Sequence, residues 1–324
     1  MGPHRSLPDA LPSIDSHDRP VHDHPTRPST RREATSTDTD QGSSAEALVR
    51  RAAGLYTHIN DLRDAQGQRL EGQVNYHLGV FYATEQLGNK LEGLGVDSSW
   101  RVLDLCSGWG GPSCYIAGRF GCTVIGVEIT ERSVELARAL AKGTDVESRV
   151  SFQEGSALDV PVPDGSIDLV WSQDALCHVP ERHRALEQCF RVLRPGGYMV
   201  FTDWLRTPYI TPQEFETFST AWSFPGLETM ESYGRTLTGA GFEMISAEGV
   251  GREYAHAAES LAVGGGNPTF IQRTALRDDE NVRKVVERFG LQAHLDRLER
   301  EKMHIHFAQG KLELGRFVCK RPEN

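Results

Sequence analysis

A glycine-rich loop, Asp104-Leu105-Cys106-Ser107-Gly108-Trp109-Gly110-Gly111, and an acid about 20 residues further on, Glu128, are the residues whose types and spacing point to chemistry. Glycines let backbone N–H groups approach a ligand without an intervening side chain. A helix starting after the loop would aim its positive end at the same place. Glu128 closes the apolar run Thr123-Val124-Ile125-Gly126-Val127. An acid at the end of a second strand accepts hydrogen bonds from ribose hydroxyls in this architecture. The pattern is Gly108-x-Gly110-Gly111 and not the GxGxxG of dinucleotide binders, which favours a nucleoside over a pyrophosphate-bearing ligand. Taken alone, the loop is also readable as a tight strand-to-helix turn, the lesser of the two readings, and Glu128 as a solvated charge at a strand end.

Such a loop needs a sheet to hold it. Short apolar runs at 101–105, 123–127, 150–153, 167–171 and 198–202 alternate with helical segments at 111–120, 131–141 and 181–193. That alternation predicts an α/β fold with a doubly wound, mostly parallel sheet. Arg194-Pro195-Gly196-Gly197 supplies the turn before the fifth strand. Residues 242–245 and 312–320 read as two further strands, making seven. The stretch 204–233, rich in Pro, Phe and Trp, and the mostly helical stretch 253–309 read as insertions forming a cap over the substrate. Residues 1–45 hold six of the 16 prolines and four of the 12 histidines and no aromatic residue, and are expected to be a disordered tail. The domain proper then spans 46–324, with N-terminal helices over about 46–95, a ligand-binding core over 96–203, and cap insertions with the C-terminal strands over 204–324.

Composition narrows the function classes. The formal charge of −10 argues against nucleic acid or an anionic membrane as partner. The six cysteines form no CxxC pair and are expected to be reduced. No apolar run reaches the roughly 20 residues of a membrane span, and no hydrophobic leader is read, so a cytoplasmic location is expected, as monomer or homodimer. His304 and His306 have no carboxylate or cysteine close in the chain, so no metal is expected.

Five segments in order carry a resemblance. Val102–Gly111 resembles motif I of the class I S-adenosylmethionine-dependent methyltransferases, and Gly126-Val127-Glu128-Ile129-Thr130 the acidic end of their second strand. Gly155–Pro161 resembles the segment flanking the adenine, Asp168–Asp174 motif IV, and Leu193–Gly197 the motif before strand five. Cys106 departs from the usual Gly or Ala. The resemblance implies a Rossmann-like fold and S-adenosyl-L-methionine as cofactor. It implies that Asp104, Gly108 and Gly110 form the loop around the methionine moiety, that Glu128 holds the ribose, and that Ile129, Ser156 and Ala157 border the adenine. Ser172 and Gln173 are then expected to face the methionine end.

A finer resemblance is to the sarcosine/dimethylglycine N-methyltransferases. It rests on Trp171-Ser172-Gln173-Asp174-Ala175-Leu176-Cys177-His178, Phe201-Thr202-Asp203, Gly310–Gly315 and Tyr76-His77-Leu78-Gly79. An amine acceptor must lose its proton before attack, so His178 and Asp174 are the expected catalytic pair. Tyr76, Trp204, Arg206 and Tyr233 are expected to meet a small-molecule acceptor, with Arg206 or Arg235 taking a carboxylate, and Trp222 and Phe224 extending an aromatic wall. The same scaffold serves natural-product O- and C-methyltransferases. A regulatory nucleoside binder and a thiol-dependent arsenic methyltransferase are further alternatives.

Overall fold

The computed structural model describes residues 80–256 and 279–323, with isolated helical positions at 47, 50, 51, 53, 54 and 57. The expected disordered tail, Tyr76 and most of the expected N-terminal helices lie outside the described residues. Helix α1 (Val80–Leu94) leads into β1 (Arg101–Leu105), α2 (Gly111–Phe120), β2 (Thr123–Glu128), α3 (Glu131–Ala141), β3 (Val150–Glu154) and β4 (Ile167–Gln173). A single 3-10 turn, Leu176–His178, precedes α4 (Arg182–Val192), β5 (Leu193–Arg206), α5 (Pro212–Trp222), α6 (Met230–Gly239) and β6 (Glu243–Gly249). Helices α7 (Asp279–Glu301) and α8 (Met303–Ala308) and strand β7 (Leu312–Lys320) complete the order.

The seven strands form one sheet in the order β3-β2-β1-β4-β5-β7-β6. The first five are parallel, and β7 runs antiparallel to both neighbours. The chain therefore reverses its direction of winding between β1 and β4, and a ligand cleft opens there beyond the strands' carboxyl ends. Strand β5 runs to Arg206, four residues past the end expected from the sequence, because Tyr198 to Arg206 pair with Lys320 to Leu312 along the whole of β7.

Side-chain alternation along β1 sets up the site. Leu103 and Leu105 point to one face, with Val170, Met199 and the inner sides of α4 and α6. Val102 joins the opposite core with Leu87, Ile116, Ala137 and Trp171. Asp104 shares the face of Val102 and so meets α2. A third cluster, Trp204, Phe218, Phe224, Tyr254, Phe307 and Leu314, joins α5, the helical segment 251–256, α8 and β7 into the cap.

Local chemistry explains α5, where the sequence predicts only an interruption, and the start of α6, whose end the sequence predicts over 235–241. Thr211 and Glu214 form a reciprocal capping box at the start of α5, with Pro212 in the first turn where its missing N–H costs nothing. Thr229 and Ser232 do the same for α6. Among the described residues no helix is long and apolar enough to cross a membrane, and no group of three His, Cys, Asp or Glu side chains is placed to hold a metal ion.

Candidate active site

The loop after β1 is built from backbone bonds and one carboxylate. Ser107 N donates to Val127 O at 3.1 Å, binding the loop to β2, and Gly110 N donates to Ser107 O at 3.0 Å. Glu128 Oε2 accepts from Gly108 N and Oε1 from Thr130 N, each at 3.0 Å. The Thr130 hydroxyl and the Ile129 N–H also bear on this carboxylate. Burial raises the proton affinity of Glu128, while these N–H groups pull it down.

The two expected glycine contacts separate. A Cβ on Gly110 (φ 79°) would stand 2.5 Å from Phe152 Cζ and 2.9 Å from Ala137 Cβ, so this glycine is set by packing under the loop. A Cβ on Gly108 (φ 53°) would project into open space, where a ligand can approach the backbone. Cys106 is left-handed at φ 59°, a conformation that costs a non-glycine residue about 1–2 kcal/mol.

Asp104 is 2% exposed and accepts from Ser113 Oγ on α2. Burial pushes its pKa up to about 7; Ser113 pulls it down and the charge of Glu128 pushes it further up. Just past β2, Ile129 is 37% exposed. Ser156 Oγ accepts from Leu158 N at 3.1 Å and so shapes the turn beside the nearly buried Ala157. Ser172 is fully buried with its hydroxyl on Leu105 O at 3.1 Å, so it ties β4 to β1 from beneath. Gln173 Oε1 accepts from Thr84 Oγ1 at 2.9 Å, which docks α1 over the end of β4.

On the acceptor side, Asp174 is left-handed at φ 53° and its Oδ1 accepts from Thr202 Oγ1 at 2.7 Å. Burial raises its pKa to about 7, the Thr202 hydroxyl opposes this, and the neighbouring Asp203 reinforces it. His178 is buried against Phe224 at a ring distance of 4.8 Å, and burial, with Arg182, drops its pKa to about 3. An imidazole with so little proton affinity stays neutral at any working pH and is a weak general base.

Two expected acceptor contacts are core residues. Tyr233 is fully buried, its ring against Phe201 and Phe317 and its hydroxyl donating to Asp203 Oδ2 at 3.0 Å. Trp204 packs among Phe218, Trp222, Phe224 and Phe307 in the cap. Arg206 is exposed at the end of β5 with Nε on Leu227 O at 3.0 Å. Arg235 pairs with Glu231 on the outer side of α6.

Sequence reasoning named Asp203 within a motif but gave it no role, and passed over Arg182. Arg182 donates to Leu176 O at 2.9 Å, Gly226 O at 2.6 Å and Glu228 Oε1 at 3.2 Å, clamping the 3-10 turn to the loop before α6. The signal for Asp203 was available: like Glu128, it is an acid following an apolar strand run.

The carboxylate of Glu128, the open space at Gly108 and the partly exposed Ile129 together fit a nucleoside, with an acid for its hydroxyls and an apolar side chain for its base. A family model described as a methyltransferase domain matches residues 103–201. The chain is 35% identical over 164 residues to the sarcosine/dimethylglycine N-methyltransferase of Halorhodospira halochloris, an alignment covering 51% of this chain and 58% of that enzyme. It is 32% identical over 240 residues to the 27-O-demethylrifamycin SV methyltransferase of Amycolatopsis mediterranei, covering 72% of this chain and 77% of that one. The solved structure of a candidate sarcosine dimethylglycine methyltransferase from Galdieria sulphuraria superposes with a TM-score of 0.67 at 20% identity, over 82% of this chain and 98% of that one. Site geometry and likeness agree, and the chain belongs to the class I S-adenosylmethionine-dependent methyltransferases.

Proposed function

We propose that the protein methylates a small-molecule amine, of the sarcosine or dimethylglycine type. When bound, S-adenosylmethionine supplies a sulfonium methyl group, and its transfer to an uncharged amine leaves the positive charge on the acceptor nitrogen. The observation that carries the amine reading is the pair of carboxylates at the ends of β4 and β5. Asp174 Oδ is the base for an ammonium proton: a carboxyl whose pKa is near 7 exchanges protons at neutral pH. Asp203 behind it adds negative charge that favours a cationic acceptor and a cationic product. His178 and the aromatic cap exclude water from this side. Glu128 would accept from the ribose hydroxyls, Gly108 would admit the methionine moiety, and Ile129 would cover the adenine. Arg206, on the same strand end, is the side chain offered to an acceptor carboxylate.

A second reading, O-methylation of a natural product, is favoured by the longer match to the rifamycin enzyme. One experiment separates the two. Purified protein is incubated with methyl-labelled S-adenosylmethionine and a panel of glycine derivatives, other small amines, phenols and macrocyclic polyketides. Label in the N-methylated glycines or other amines supports the proposal. Label confined to hydroxylated aromatics or macrocycles sinks it.

A further inference from the structure

Three hydrogen bonds hold the turn after β4 onto the end of β5. Asp174 N donates to Thr202 O at 2.9 Å, Thr202 Oγ1 to Asp174 Oδ1 at 2.7 Å, and Cys177 N to Asp203 Oδ1 at 2.8 Å. The second oxygen of Asp203 accepts from Tyr233 on α6. One fully buried carboxylate therefore joins the turn, a central strand and a helix. Burial raises the proton affinity of Asp203, while the charge of Arg182 and the Cys177 and Tyr233 donors oppose this. The turn it supports is strained, because Asp174 is left-handed, and such a conformation persists only where its surroundings over-determine it.

We propose that Asp203 is a positioning residue for methyl transfer, acting through Asp174: it fixes the turn that carries Asp174 and His178, and it sets a second carboxyl behind Asp174. The proposal rests on the reading of Asp174 as the acceptor-side base. The groups that bear on Asp174 come from every packed element: Thr202, Asp203 and Trp204 from β5, Cys177 from the turn, and Tyr254 from the segment 251–256. Arg182, from α4, acts on Asp203 and Cys177. Among the groups on β5, Asp203 is the carboxylate, so removing its charge has a defined sign: Asp174 must release its proton more easily.

The test is an NMR titration of carboxyl-labelled aspartates in the full chain, with the Asp174 signal assigned by its loss in Asp174→Asn. Asp203→Asn keeps the shape and can still satisfy Cys177 N and Tyr233. Its expected effect is a fall of about one unit in the Asp174 midpoint, as for removal of a near like charge. S-adenosylmethionine binding, followed by calorimetry, should stay within about twofold as the control for an intact fold. An unmoved midpoint in a folded variant overturns the proposal. Tyr233→Phe is the second variant: it takes a donor from Asp203, lets that carboxyl protonate more readily, and should lower the Asp174 midpoint by a smaller amount. If neither variant moves the midpoint, Asp203 is only structural. The reading of Asp174 fails separately, if Asp174→Asn leaves the pH profile of methyl transfer unchanged; the titration still decides the role of Asp203.

Discussion

Asp104 carries a stability cost that a conservative substitution can expose. Its carboxyl is buried and its pKa is raised from the ordinary 3.8 to about 7. Because the folded value lies above the unfolded one, ionisation favours the unfolded chain. The penalty is absent below the unfolded value, grows as pH rises from about 4 to about 7, and is constant above that. A shift of about three units corresponds to a plateau of about 4 kcal/mol, an order-of-magnitude figure. Asp104→Asn removes the ionisation and keeps an oxygen to accept from Ser113 Oγ. Whatever fixed cost the amide brings, the stability of the variant relative to wild type should rise by about 2 kcal/mol between about pH 5.5 and about pH 8. Urea unfolding of both proteins without cofactor, at several pH values across that window, measures the difference directly. A pH-independent difference would refute the reasoning, since it would mean that Asp104 titrates in the folded protein where a free aspartate does. Saturating S-adenosylmethionine should flatten the wild-type curve, because its sulfonium charge favours the ionised acid.

The two loop glycines should fail in different ways. Gly110→Ala forces a Cβ into Phe152 and Ala137 and should lower unfolding free energy by about 3 kcal/mol. Gly108→Ala meets no protein atom, so it should cost only about 1 kcal/mol of stability but at least about tenfold in S-adenosylmethionine affinity; equal thermal shifts in the two would contradict the assignment. Glu128→Ala removes the acceptor for Gly108 N and Thr130 N, and calorimetry should show cofactor affinity falling by about a hundredfold, with unchanged affinity removing the ribose role. Cys106→Gly relieves a left-handed side chain and loses a small, partly buried thiol; these offset, so denaturation should shift by no more than about 1 kcal/mol and cofactor affinity should hold.

The parallel half of the fold was legible because its signals are local: apolar runs of strand length, each followed by a helix and punctuated by glycine or proline. The full length of β5 was not. Its last residues are strand because β7, more than a hundred residues later, lies antiparallel beside them, and no local pattern carries that pairing. The same limit explains Tyr233 and Trp204. An aromatic residue in an irregular stretch reads alike whether it lines a cleft or fills a core, and only the third dimension put both in the core.

The acids are the exception, because chemistry and position coincide in them. Glu128 ends β2, Asp104 lies one residue from the end of β1, Asp174 follows β4, and Asp203 lies near the end of β5. In the sheet these strands stand in the order β2, β1, β4, β5. The two acids assigned to the cofactor therefore fall on one side of the point where winding reverses, and the two assigned to the acceptor on the other. That reversal leaves the cleft between β1 and β4 uncovered by a crossing connection. A methyl group passing between two ligands must cross such a gap. The topology thus matches the proposed division of the carboxylates between donor and acceptor; the donor side could be read from one short loop, while the acceptor side required the packing of β5, α6 and the turn after β4.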